Sequence, residues 1–210
     1  MMVGKLVNEK MMLHALEWSY DKAVTGAGVL GSVYDLAETY RKKSGSNREA
    51  VEALINWQTA KCATTGFVTG LGGVLTLPLA IPANVASVLL FQLQMIGAIA
   101  VLGGHDPRSE RVRSLAFICL TGSAAPDLLK RLGVQVGEKT ALLAMEAITT
   151  QVAAKVNQVV GLRLLTKFGK RGFVNFSKAV PVLGGLVCGG VDAVTTRTVG
   201  RTAAKYFVGM

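Results

Sequence analysis

The sequence predicts an all-α fold: a bundle of about eight helices around a central apolar hairpin that glycine and proline interrupt. Three observations lead there. Apolar residues recur at three- and four-residue spacing through most of the 210 residues, as they do on amphipathic helices. No hairpin turn stands between alternating apolar runs, so strand signals are weak throughout. Finally, Cys62 to Gly104, 43 residues, contains no Asp, Glu, Lys or Arg. Water rejects a segment this apolar, so a protein core or a bilayer must take it.

The elements follow in order. Leu6, Leu13, Leu16, Tyr20, Ala23 and Val24 fall near one face of a first helix. Ser32 caps a second, with Val33, Leu36, Ala37 and Tyr40 inward and Asp35, Glu38, Arg41 and Lys42 outward. After the loop KKSGSN, Ser46-Asn47-Arg48-Glu49 fits a capping box, in which hydroxyl and carboxylate satisfy each other's free N–H groups. A third helix runs from there through Trp57 to about Cys62.

The uncharged run is punctuated. Gly66, Gly70, Gly72 and Gly73 crowd its first third, and Gly66 and Gly70 have the spacing that lets helices approach closely. Pro78 and Pro82 frame a break, and Asn84 follows. Val85–Leu102 makes a helix of 18 residues, about 27 Å long, and Gly103-Gly104 ends it. Asp106 as N-cap and Pro107 at the first helical position start the next helix. Its Arg108, Glu110, Arg111 and Arg113 face water, while Leu115 to Leu120 turn apolar. Thr121 to Asp127 is a break, with Asp127 as a helix cap.

Gly137 to Leu165 reads as one long amphipathic helix, with Leu142, Met145, Ile148, Val152, Val156 and Val159 stepping by three and four. A basic loop with three phenylalanines, KFGKRGFVNFSK, follows. Ala179 to Val191 is a second uncharged stretch with Pro181 and two Gly-Gly pairs, the first opening at Gly184. The tail from Asp192 to Phe207 places Arg197, Arg201 and Lys205 four apart on one helical face. The whole of residues 1–210 reads as a single helical domain, a length suited to one core.

Two spans of about 20 residues would fit the uncharged run by length. Its first third is too rich in Gly and Thr, however, and Val85–Leu102 carries Ser87, Gln92 and Gln94. An unpaired amide in lipid costs on the order of a kcal/mol or more. Gln92 and Gln94 project to different helix faces, so one neighbour cannot satisfy both. A central hairpin wrapped by the chain's own amphipathic helices meets every observation. Swinging out of that hairpin to insert in a membrane is the alternative.

Charge is lopsided. The net charge is +10, of which residues 106–210 carry +9. A cationic half attracts anionic lipid, nucleic acid or an acidic partner. Aromatics are only 6% and no basic–aromatic RNA motif is present, so lipid ranks above nucleic acid, which is not expected as a partner. The best surface candidate is Lys167, Lys170, Arg171 and Lys178 interleaved with Phe168, Phe173 and Phe176. There Phe enters the headgroup region while each cation meets lipid phosphate, a contact of about 1 kcal/mol. The bland reading is a solvated basic loop with core phenylalanines.

Catalytic and metal signals are poor. Gly26-Ala27-Gly28-Val29-Leu30-Gly31 matches GxGxxG, but a helical segment precedes it where a dinucleotide site needs a strand. Phosphate-loop and nucleophile-elbow motifs are absent from the sequence. Cys62, Cys119 and Cys188 are too scattered for a disulfide framework or a metal site. His14 and His105 have no matching ligand cluster, so neither a metal nor a cofactor is expected. His105, Asp106 and Asp127 are the only acid–base candidates. The amino terminus, MMVGKLVNEKMML, has no continuous apolar core and no cleavage site, so Sec export is not expected.

Several segments together resemble the EcsC family: WSYDKAVTG at Trp18–Gly26, TGFVTGLGG at Thr65–Gly73, IPANVASVLLFQLQMI at Ile81–Ile96, IAVLGGHDPRSERVRSL at Ile99–Leu115, and AVPVLGGLVCGGVDAVTTRTVGRTAAKYF at Ala179–Phe207. Gly66, Gly70, Gly72, Gly73, Pro82, Asn84, Gln94, Asp106, Pro181 and Gly184 fall within these segments. The position of His105 often looks aromatic in the family. The resemblance implies a helical fold, the cytoplasmic side, and work at or near a membrane; the family takes its name from a protein encoded beside an ABC exporter whose loss disturbs secretion. The resemblance carries no catalytic residues. The expectation is a non-enzymatic protein, peripheral to the inner face of the membrane. It binds anionic lipid, or a membrane transporter or secretion component such as an ABC-type transporter or other membrane protein, through the basic C-terminal half. The rivals are a membrane-perturbing effector or toxin that inserts its Gly-rich apolar helices, and a hydrolase acting on lipid.

Overall fold

Caps and apolar spacing set most of the helix boundaries. The computed structural model describes residues 9–26, 30–63, 83–134, 146, 148–168 and 181–210, and among them eight α-helices form with no strand. Helix α1 is Glu9–Thr25, α2 Val33–Lys43, α3 Asn47–Ala63, α4 Ala83–Leu102, α5 Glu110–Cys119, α6 Ala125–Arg131, α7 Thr150–Phe168 and α8 Pro181–Val208. A 3-10 turn, Gly122–Ala124, leads into α6. The all-α expectation holds.

At α2 the predicted cap is complete. Ser32 Oγ accepts from the Asp35 N–H at 3.2 Å, and Asp35 Oδ2 accepts from the Ser32 N–H at 2.9 Å. The Ser32 hydroxyl, with its own N–H, holds the Asp35 carboxyl below its ordinary range. At α3 the box is offset. Ser46 Oγ accepts from the Glu49 N–H, but Glu49 Oε2 reaches the Gly45 N–H at 2.9 Å instead of that of Ser46.

Four boundaries differ from the sequence reading. Helix α5 begins at Glu110, not at Pro107, because Asp106 Oδ1 accepts from the Arg108 N–H at 2.9 Å and closes a turn. Asp127 does not cap α6; it sits in that helix's first turn behind Pro126, and Ala124 is the N-cap. The 137–165 helix is not continuous, since Ile148 and Thr149 are non-helical and Thr149 Oγ1 accepts from the Val152 N–H to open α7. The second uncharged stretch and the basic tail, read as separate, join in one 28-residue helix, α8, about 42 Å long at 1.5 Å per residue. Residues 64–82, with Gly66, Gly70, Gly72, Gly73 and Pro82, lie outside the described residues, so only the second arm of the expected hairpin is seen.

That arm is the core. Every residue of α4 from Leu89 to Ala100 is buried, and α1, α2, α3, α5 and α8 pack against it. Its two glutamines find two different neighbours. Gln92 Nε2 donates to Thr196 Oγ1 of α8 at 3.2 Å, and Gln94 Nε2 donates to Gly31 O before α2 at 2.6 Å. Pairing of this kind removes the penalty that a buried amide otherwise carries.

Contacts fix the helix directions. Gln92 meets Thr196, Met95 lies beside Gly200 and Gly103 beside Phe207. The near-constant offset makes α4 and α8 parallel. Ile55 also lies against Gly200 while Asn47 Nδ2 donates to Leu102 O at 2.8 Å, so α3 runs antiparallel to both. Tyr20 OH donates to Pro107 O at 2.8 Å, and Leu13 touches Gly161. A cavity of about 520 Å3 lies where Ser109, Glu110 and Arg111 face Thr149, Thr150 and Ala153. Helix α1 therefore rises toward Pro107 and α7 descends from it. As a result, the start of α4, the start of α8, the end of α3 and the end of α7 share one end of the bundle.

Candidate interaction surface

Helix α8 is two-faced where its side chains are described. Val199, Ala203, Ala204, Tyr206 and Phe207 are buried, whereas Arg197, Arg201 and Lys205 are exposed. The spacing of four predicted from sequence thus sets three cations along one outer stripe. Thr198 and Thr202 spend their hydroxyls on the helix itself, donating to Val194 O and Thr198 O at 2.8 Å each. Arg201 Nη2 stands 3.8 Å from Glu52 Oε2 of α3 with both side chains well exposed, an arrangement worth little in water. Arg197 and Lys205 have no ion-pair partner among the described residues.

Of the predicted basic–aromatic loop, Lys167 and Phe168 form the last residues of α7; Lys170, Arg171, Phe173, Phe176 and Lys178 lie outside the described residues. Pro181 opens α8, with Gly184 in its first turn, and Asn84 lies in the first turn of α4.

The acid–base candidates occupy structural posts. His105 Nε2 lies 3.0 Å from Phe207 O, and because a carbonyl only accepts, the ring donates there. It thereby caps the last turn of α8, which closes further with Gly209 at φ 72° and the Met210 N–H on Ala204 O. Asp106 Oδ1 also accepts from Tyr34 OH at 3.2 Å, and the Arg108 guanidinium sits 5.7 Å from the Tyr34 ring centre. Burial and the bond to Asp106 push the Tyr34 phenol up. Asp127 is exposed on α6 and no hydrogen bond joins it to His105 or Asp106. Three groups in three separate roles do not make an acid–base pair. Among the described residues no cluster of three His, Cys, Asp or Glu is placed to hold a metal ion.

Sequence reasoning missed the large apolar side chains left in solvent: Trp57 at 54%, Leu162 at 44% and Val194 at 69% exposure. Each sits on a helix whose other face is core. Spacing alone does not separate such a residue from its buried neighbours. Among the described residues no single helix is long and apolar enough to cross a membrane. The pair Glu110–Cys119 and Gly122–Arg131, bent by 116°, passes on length and composition only.

Compared with known families, the chain matches the EcsC protein family over residues 43–208. No curated protein and no solved structure matches it.

Proposed function

The chain belongs to the EcsC family, and from that premise we propose that it is a non-enzymatic protein that works at the inner face of a membrane. It binds anionic lipid peripherally through its basic C-terminal half. A transporter or other membrane protein that shares the leaflet is the second class of partner. The observation that carries this reading is the stripe Arg197–Arg201–Lys205, exposed on a helix whose opposite face is core. Each such cation near an anionic leaflet contributes about 1 kcal/mol, and that attraction is screened within about 10 Å at 0.1 M salt. The structural roles of His105 and Asp106 favour binding over catalysis.

Vesicle flotation tests the proposal. The protein is expected to float with vesicles containing phosphatidylserine and not with purely zwitterionic ones. Arg197→Glu/Arg201→Glu/Lys205→Glu, and separately Lys167→Glu/Lys170→Glu/Arg171→Glu, should each release most of it, as should 0.5 M salt. Flotation that ignores lipid charge would sink the reading.

A further inference from the structure

Helices α3 and α8 lie side by side and antiparallel, and a ladder of polar rungs crosses the seam between them. On the inner side Ile55 packs on Gly200. On the outer side Arg201 Nη2 stands 3.8 Å from Glu52 Oε2. Residues four apart lie on the same side of a helix, so one turn each way from that pair gives the next rungs. Toward the start of α3, Arg48 stands level with Lys205; toward its end, Asn56 stands level with Arg197. All four are exposed. The three rungs thus hold four cations, one amide and one carboxylate, Glu52, over about 12 Å of helix at 1.5 Å per residue. Glu49, next to Arg48, is engaged by the Gly45 N–H.

Basic residues on outer helix faces are usually no more than solvated. Two observations set this seam apart. Arg48 lies in the first turn of α3, where the positive end of the helix disfavours a cation, so it gains nothing from its own helix. Arg201 is held by a long, exposed pair with Glu52, which costs little to open. A phosphate that takes the place of that carboxylate gains Arg201. On either side it finds Arg48, Arg197 and Lys205, none of which has an ion-pair partner among the described residues. These cations stand in rows one turn apart on an outer surface, and so fit a plane of phosphates better than one enclosed anion. We propose that the seam between α3 and α8 is the face that meets the anionic leaflet, with Arg48 as a fourth phosphate contact beside the α8 stripe. Glu52 opposes that contact and keeps the attachment reversible. The inference rests on the membrane reading above; it adds the second helix of the face and the residue that limits its affinity.

Single-charge variants separate position from net charge, because at 0.1 M salt a charge acts over only about 10 Å. Glu52→Gln and Asp21→Asn each remove one negative charge; Arg48→Gln and Lys22→Gln each remove one positive charge. Asp21 and Lys22 are exposed on α1, which packs against α2, α4 and α7. The probe is vesicles of phosphatidylcholine and phosphatidylserine in 0.1 M salt, with circular dichroism to check that each variant keeps the parental helix content. Glu52→Gln should bind about fivefold more tightly and Arg48→Gln about fivefold more weakly, the factor expected of one charge at the leaflet. Asp21→Asn and Lys22→Gln should bind as the parent does. If the parent floats but the α1 variants shift as far as the α3 ones, or the α3 variants do not shift, the seam is not the contact face and the membrane reading stands. If the parent does not bind at all, both fall.

Discussion

Tyr20 carries more of the fold than its helix suggests. Its side chain is 2% exposed, its ring meets Phe117 edge-on at 5.4 Å, and its hydroxyl donates to Pro107 O, 87 residues away. Burial drives the phenol far above its ordinary range, with the Arg113 guanidinium pulling the other way. Tyr20→Phe keeps the ring and leaves a buried carbonyl without its donor. The expected loss is about 1–3 kcal/mol, read as a lower urea midpoint with an unchanged slope. The sequence placed Tyr20 on the inner face of α1 but not its hydrogen bond, because the partner is a backbone carbonyl brought in by tertiary packing. Gln92 and Gln94 teach the same lesson. Their divergence was legible and demanded two partners, yet neither Thr196 nor Gly31 O announces itself along the chain. Cys119, a scattered thiol in the sequence, is wholly buried, and that burial pushes its pKa up.

Helices were legible where the signal is local and misread where a distant contact decides. Ser32 capped α2 as predicted because both partners lie within one turn. Asp106-Pro107 had the chemistry of a helix start, but the Asp106 carboxylate is taken by the Arg108 N–H and by Tyr34 of α2, so α5 waits until Glu110. The 3.6-residue period ran across Ile148 and Thr149 because a buried Ile and a capping Thr suit either reading. Glycine shows the limit most plainly. Of 24 in the chain, Gly103 is where α4 meets the last turn of α8, and a Cβ there would collide with Phe207 O. That carbonyl is backbone and also holds His105, so it cannot swing aside. Gly103→Ala should therefore cost about 1–3 kcal/mol and loosen the His105 ring, visible in its NMR shifts. Gly104 has φ +82° and nothing within 4 Å of a Cβ. Gly104→Ala meets only backbone strain, about 1–2 kcal/mol, and should leave the His105 signals in place.

The whole molecule is organised by one helix. Helix α4 is covered from several sides, and the buried apolar residues join in one continuous cluster from Met12 to Phe207. Such a core should lose structure in a single cooperative transition, with circular dichroism and single-tryptophan fluorescence giving coincident urea curves. Separate transitions would mean that the helices form two units. The charge asymmetry was legible in the sequence and reappears as the α8 stripe. The common end of α3, α4, α7 and α8 was not, because helix direction is set by pairs such as Asn47 with Leu102 O that no periodicity encodes. The parallel register of α4 with α8 has a consequence during synthesis. Gln92 and Thr196 stand 104 residues apart, and ribosomes add about 5–20 residues per second. The most apolar of the described helices therefore waits on the order of 5–20 s for one of its walls. A nascent segment that greasy, uncovered for that long, is a natural client for a holding chaperone.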